Sequence, residues 1–125
     1  MHLSKFYISA EATGKLRVLR QRAMVTPNLL CRMAMGLSFE LGPIGPVVVT
    51  TEDGQEFNAY TLFGPDQPIY TSMLKVLETG DGAEEIEDGQ LLHRLKAHID
   101  RGIGQLAVRI KSPSDTARIL GQELV

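Results

Sequence analysis

Cysteine is almost absent from the chain: Cys31 stands alone among 125 residues. An internal disulfide is thereby excluded, and such usage fits a reducing cytoplasm. Long apolar runs are missing too, and none approaches the ~20 residues that a membrane helix needs. The start, MHLSKFYISAEATGK, has no apolar stretch followed by a small-residue cleavage site, so a cytoplasmic rather than an exported protein is expected. Neither charge dominates, since 13 Lys and Arg face 15 Asp and Glu for a net of −2. On totals alone that balance argues against a general nucleic-acid binder. No internal repeat or interdomain linker interrupts the chain. What is present, 43% hydrophobic and 22% charged residues, excludes wholesale disorder and suits a single domain over residues 1–125.

The charge is segregated along the chain. Residues 1–35 carry Lys5, Lys15, Arg17, Arg20, Arg22 and Arg32 against Glu11, a net of +5. Residues 40–88 carry eleven acids against Lys75, a net of −10, and residues 89–125 return to +3. A basic head behind an acidic middle points to one surface that meets polyanions while another stays solvated.

Periodicity places the elements. Residues 2–8 read as a short strand with Phe6 and Ile8 inward and Lys5 and Tyr7 outward. Ser9 caps a helix over 10–24, whose narrow apolar stripe is Ala12, Leu16, Leu19 and Ala23. At about 100° per residue, Lys15 and Arg22 flank that stripe on one side and Arg17 and Arg20 on the other. Thr26 and Pro27 start a second helix over 27–39 that is apolar nearly all round, with Arg32 its one charge. Such a helix needs cover on most sides, from the rest of the chain or from a second subunit. Two β-rich runs, 46–51 and 55–62, flank Asp53-Gly54 and predict a hairpin over 46–63. The rest, 66–125, reads as helical: 67–78, a long helix over 90–110 after an acidic connector, and a short one from Ser112-Pro113. The fold class is mainly α with a minor β component (α+β).

Strand, helix with basic flanks, short turn, apolar helix: the first forty residues resemble a ribbon-helix-helix module. That resemblance implies antiparallel pairing of two chains' N-terminal strands, a ribbon in the DNA major groove, and a dimer core made by the second helix. The start of that helix, Thr26-Pro27-Asn28, would hold a phosphate. On this alternative the chain is a transcriptional repressor or antitoxin reading an operator through Lys5 and Tyr7.

Downstream residues sharpen the assignment. Leu16-Arg17, Thr26-Pro27-Asn28 and Gly36-Leu37-Ser38, then the block Glu56-Phe57-Asn58-Ala59-Tyr60-Thr61-Leu62-Phe63-Gly64, then His98-Ile99-Asp100-Arg101-Gly102-Ile103, together resemble the DndE family of DNA sulfur-modification proteins. The resemblance spans about residues 6–110. It implies a non-catalytic accessory subunit of DNA phosphorothioation, without a cofactor. Its implied partners are double-stranded DNA, intact or nicked, the other modification proteins, and further copies of itself in a homo-oligomer, a tetramer.

The residues expected to meet DNA are Lys5, Lys15, Arg17, Arg20, Arg22, Thr26 and Asn28. Arg32, isolated in an apolar helix, reads instead as a buried or interface arginine paired with an acid. Cys31 reads as an inert core thiol. His93 and His98, five apart, share no helix face, and no Cys or Glu completes a zinc set. Gly102-Ile103-Gly104 follows no strand, so close helix packing is the better account than a phosphate loop. Asp81, Glu84, Glu85, Glu87 and Asp88 read as a solvated loop, and Phe57, Tyr60 and Phe63 as core, with Asn58 and Thr61 bracing the hairpin. No paired carboxylates or activated nucleophile support an enzyme.

Overall fold

The chain turns helical at residue 10 for a local reason. Ser9 is extended (φ −71°, ψ 158°), and its hydroxyl accepts the Ala12 N–H. Helix α1 (Ala10–Ala23) then runs to Met24, a left-handed residue with φ 59°. Thr26 caps helix α2 (Pro27–Glu40) by accepting the Leu29 N–H, with Pro27 in the first turn. The computed structural model describes residues 2–47, 51–80 and 85–123. Its remaining elements are strands β1 (Lys5–Tyr7) and β2 (Glu56–Asn58), the short helix α3 (Ala59–Phe63), and helices α4 (Gln67–Thr79), α5 (Asp88–Arg109) and α6 (Pro113–Glu123). The architecture is mainly helical with a small two-stranded antiparallel sheet, and it begins β-α-α as expected.

The four stripe residues of α1, Ala12, Leu16, Leu19 and Ala23, are all buried. Helix α5 is the central support. Leu91, Leu95, Ile99, Ile103 and Leu106 are buried along it, with Leu91 rather than Leu92 at the head of the seam. Helix α2 lies against α5 at backbone distance, because a Cβ on Gly102 would overlap the Ala34 carbonyl. Close helix packing is therefore the role of Gly102, whereas a Cβ on Gly104 would meet open space.

Expectations for residues 46–63 are corrected. The hairpin over 46–63 does not form among the described residues, of which 48–50 are not part. Its second run splits: Glu56–Asn58 is strand, and residues 59–63 are helix. The Asn58 carboxamide oxygen accepts the Tyr60 and Thr61 N–H groups, a cap that starts α3 and ends the strand. Asp53-Gly54 is not a two-residue turn but a clasp on the β1–α1 junction. Asp53 accepts the Ala10 N–H, the Gly54 N–H reaches the Ile8 carbonyl, and a Cβ at Gly54 would overlap the Ser9 and Ile8 carbonyls. The N-terminal strand finds a partner within the chain. β1 pairs with β2 of its own chain, Lys5 opposite Asn58, Phe6 opposite Phe57 and Tyr7 opposite Glu56. Tyr60, expected in the core, is exposed on α3, while Phe57 and Phe63 are buried.

Residues 42–47, which follow α2, are held by side chains of α4 and α5. Glu78, its side chain fully enclosed, accepts the N–H groups of Ile44 and Gly45, both at 2.9 Å, and an N–H of Arg94 at 3.3 Å. The Gln90 amide brackets Val47 on both its N–H and its carbonyl. Arg101 donates to the carbonyls of Ser38 and Gly42 and, through Nε, to the Ser38 hydroxyl at 2.8 Å. That hydroxyl has a single proton, so it donates to Nδ1 of buried His98 at 2.7 Å. Nε2 then carries the ring proton and donates to Glu78 at 2.8 Å. The histidine is neutral and the glutamate ionised.

Two predictions follow from this packing. Gly102→Ala forces α2 off α5 and costs about 3 kcal/mol by chemical denaturation, whereas Gly104→Ala stabilises by up to about 1 kcal/mol. Burial lowers the His98 pKa from its ordinary value of 6.5, opposed by its bond to Glu78. Burial alone would raise the Glu78 carboxyl, but the Ile44, His98 and Gly45 donors outweigh it and hold it below the usual carboxylate range. For both groups the unfolded chain binds protons more readily than the fold, so stability drops on acidification. It is complete above pH 6.5 for His98 and declines below, with a further loss through the glutamate range. Urea unfolding between pH 7 and 5 should show that slope in the native chain and a flatter one in His98→Gln.

Candidate nucleic-acid interface

The geometry divides the basic residues of the head. Arg17 and Arg20, exposed one turn apart on α1, share a cleft of about 110 Å³ with Thr13, Leu16, Pro27 and Gln55. Its far wall is the start of α2, where Thr26 is exposed, Asn28 is half-buried and the helix dipole favours negative charge. Two guanidiniums and the positive end of a fourteen-residue helix thus converge on one hollow. No carboxylate lies within ion-pair distance of either arginine among the described residues.

Lys15 stands on the other flank. Its ammonium is 3.3 Å from Glu11, and the two line a different cleft with Ala12, Ala97, Asp100 and Arg101. Burial raises the Asp100 carboxyl, although the Ser9 hydroxyl donates to it. This second hollow mixes both signs and favours no polyanion. Arg22 is half-buried near the end of α1. Lys5 is exposed on β1 opposite Asn58, and the adjacent Tyr7 hydroxyl donates to Glu56 at 2.8 Å, which holds its proton more tightly. The structure brings together Arg17, Arg20 and Pro27 at the start of α2, places neither Thr26 nor Asn28 in the lining of that cleft, and puts Lys15 in a different one.

Two members of the arginine cleft were not visible in the sequence. Thr13 and Gln55 are joined by a 2.8 Å bond from the Gln55 N–H to the Thr13 hydroxyl. The place of Gln55 depends on the Asp53-Gly54 clasp, which a turn motif conceals.

Other candidates are placed by burial. Cys31 is wholly enclosed, and burial pushes its thiol up to about 12, so it is protonated at neutral pH. Ser38, His98 and Glu78 have the connectivity of a hydrolytic triad, but all three side chains are enclosed and Arg101 holds the serine oxygen. Among the described residues no group of three or more His, Cys, Asp or Glu could hold a metal ion. Glu85, Glu87 and Asp88 of the acidic connector are exposed, while Asp81 and Glu84 lie outside the described residues. No described helix is long and apolar enough to cross a membrane.

Comparison with known proteins agrees with the residue blocks. No curated protein sequence matches. Among solved structures, the chain is similar to DndE from Escherichia coli B7A, described as involved in DNA phosphorothioation modification. The identity is 24% and the TM-score 0.68, covering 87% of this chain and all of that one. It is also similar to a G21/24K mutant of DndE, at 23% identity and a TM-score of 0.64, covering 84% of this chain and 97% of that one. These likenesses establish the fold. The model of the DNA sulphur modification protein DndE matches residues 5–114, nearly the whole chain, and the chain therefore belongs to the DndE family.

Proposed function

We propose that this chain is a non-catalytic DNA-binding subunit of the phosphorothioation machinery, working in the cytoplasm beside the other modification proteins and as a homo-oligomer, a tetramer. One observation carries the reading: Arg17 and Arg20 converge with Pro27, at the start of α2, on a hollow of about 110 Å³ whose lining has no carboxylate among the described residues. Lys5, Lys15 and Arg22 add positive field around it rather than direct contacts. A symmetric assembly repeats the hollow, so modest contacts per chain sum on one duplex, intact or nicked.

The enclosed, protonated Cys31 supports a role without sulfur transfer, because the thiolate is the reactive form and this is the chain's one cysteine. The repressor reading is less well supported. Its reading strand pairs within the chain, and the Tyr7 hydroxyl is engaged by Glu56.

Fluorescence anisotropy with labelled duplex DNA at several salt concentrations tests the proposal. Replacing Arg17 and Arg20 together by alanine should weaken binding roughly tenfold and make the salt slope shallower by about 2. Lys15→Ala should cost less, and Lys75→Ala nothing. Equal affinity and slope in all variants would remove the arginine hollow from DNA binding.

A further inference from the structure

The lining of the arginine hollow is of two unlike kinds. Arg17 and Arg20 bring guanidinium N–H groups, and no carboxylate among the described residues pairs with either. The rest of the lining is short of donors. Leu16 and Pro27 bring hydrocarbon, and Pro27 has no backbone N–H. Behind it the Leu29 N–H is taken by the Thr26 hydroxyl. The Thr13 hydroxyl is spent within the chain: it donates to the Ser9 carbonyl and accepts the Gln55 N–H, both at 2.8 Å. That second bond occupies the Gln55 backbone as well, which leaves its exposed carboxamide as the one donor there besides the arginines.

Such a lining discriminates between backbone linkages. A phosphodiester has two non-bridging oxygens, and both need donors. Here one oxygen meets guanidinium, while the other faces hydrocarbon and gives up water without a replacement, which is costly. Sulfur in place of that second oxygen relieves the cost, because it is soft, polarizable and a weak acceptor. The negative charge is kept, so the arginines still hold the group. A phosphorus bearing one oxygen and one sulfur is also chiral, and a hollow with unlike walls fits one configuration better than the other. DNA phosphorothioation, in which the Escherichia coli relative is described as involved, makes a linkage of this kind.

We propose that the arginine hollow holds a phosphorothioate linkage of one configuration in preference to a phosphate. The oxygen lies on Arg17 and Arg20, and the sulfur lies against Leu16 and Pro27. The chain thereby favours DNA that already carries sulfur over unmodified duplex. This preference rests on the DNA-binding role proposed above and names the linkage that the hollow selects.

Equilibrium anisotropy on the full native chain tests it with three duplexes of one sequence. One is ordinary; in the other two, every linkage of one strand is a phosphorothioate of a single configuration, one or the other. One configuration should bind about fourfold more tightly than both the ordinary duplex and the other configuration, roughly the gain from burying one methylene. Any general stickiness of sulfur is common to the two configurations and cancels between them. Pro27→Ser brings a hydroxyl to the apolar lining, so in that variant the two configurations should draw together. Equal affinity for both configurations in the native chain, neither one tighter than the ordinary duplex, or a preference undiminished in Pro27→Ser would overturn selection by sulfur. If the configurations bind alike while the Arg17 and Arg20 double variant still weakens binding of the ordinary duplex, the DNA reading stands and the sulfur preference falls. Absence of binding to all three duplexes removes both.

Discussion

The approach of α2 to α5 at Gly102 is the constraint from which the rest of the structure takes its position. Helix α2 is too apolar to stand in water, and α5 can receive it closely only where no side chain intervenes. Once the two helices touch, Ser38 comes within reach of His98 and Arg101. Those residues, with Glu78, then pin Gly42, Ile44 and Gly45 after α2 through side-chain bonds.

The bases of this protein do two different jobs. Arg94 and Lys96 are buried, and Arg101 is half-buried; they pair with Glu78, with Glu52 and with backbone carbonyls. Half of the six bases in residues 89–125 are thus turned inward, while Arg109, Lys111 and Arg118 stay exposed. Arg17 and Arg20 face solvent. Arg94 and Lys96 also offset Glu78 and Glu52 of the acidic middle, so the field of that segment is weaker than its count of acids implies.

What could be read from the sequence follows from how local each signal is. The helices announced themselves through caps and spacing: Ser9 before α1, Thr26-Pro27 before α2, and the apolar stripe of α1 residue for residue. The division of Arg17 and Arg20 from Lys15 followed from rotation about one helix. Asp53-Gly54 misled because its partners, Ile8 to Ala10, lie more than forty positions away, while the turn rule looks only at neighbours. The Ser38–His98–Glu78 network was invisible for the same reason. His98 looked like one more histidine on a helix, and only the tertiary fold supplies a serine at one ring nitrogen and a carboxylate at the other.

The pairing of β1 with β2 bears on how the chain comes to fold. Its N-terminal strand is made first, yet its partner lies about fifty residues later, and α5, which closes the core, comes later still. Contacts of such sequence separation carry a loop-closure cost that local helices do not. During synthesis α1 and α2 can form early, but the apolar length of α2 has no lasting cover until α5 has left the ribosome. Folding of the head is thereby deferred until α5 has been made, and its basic and apolar faces both stay available until then.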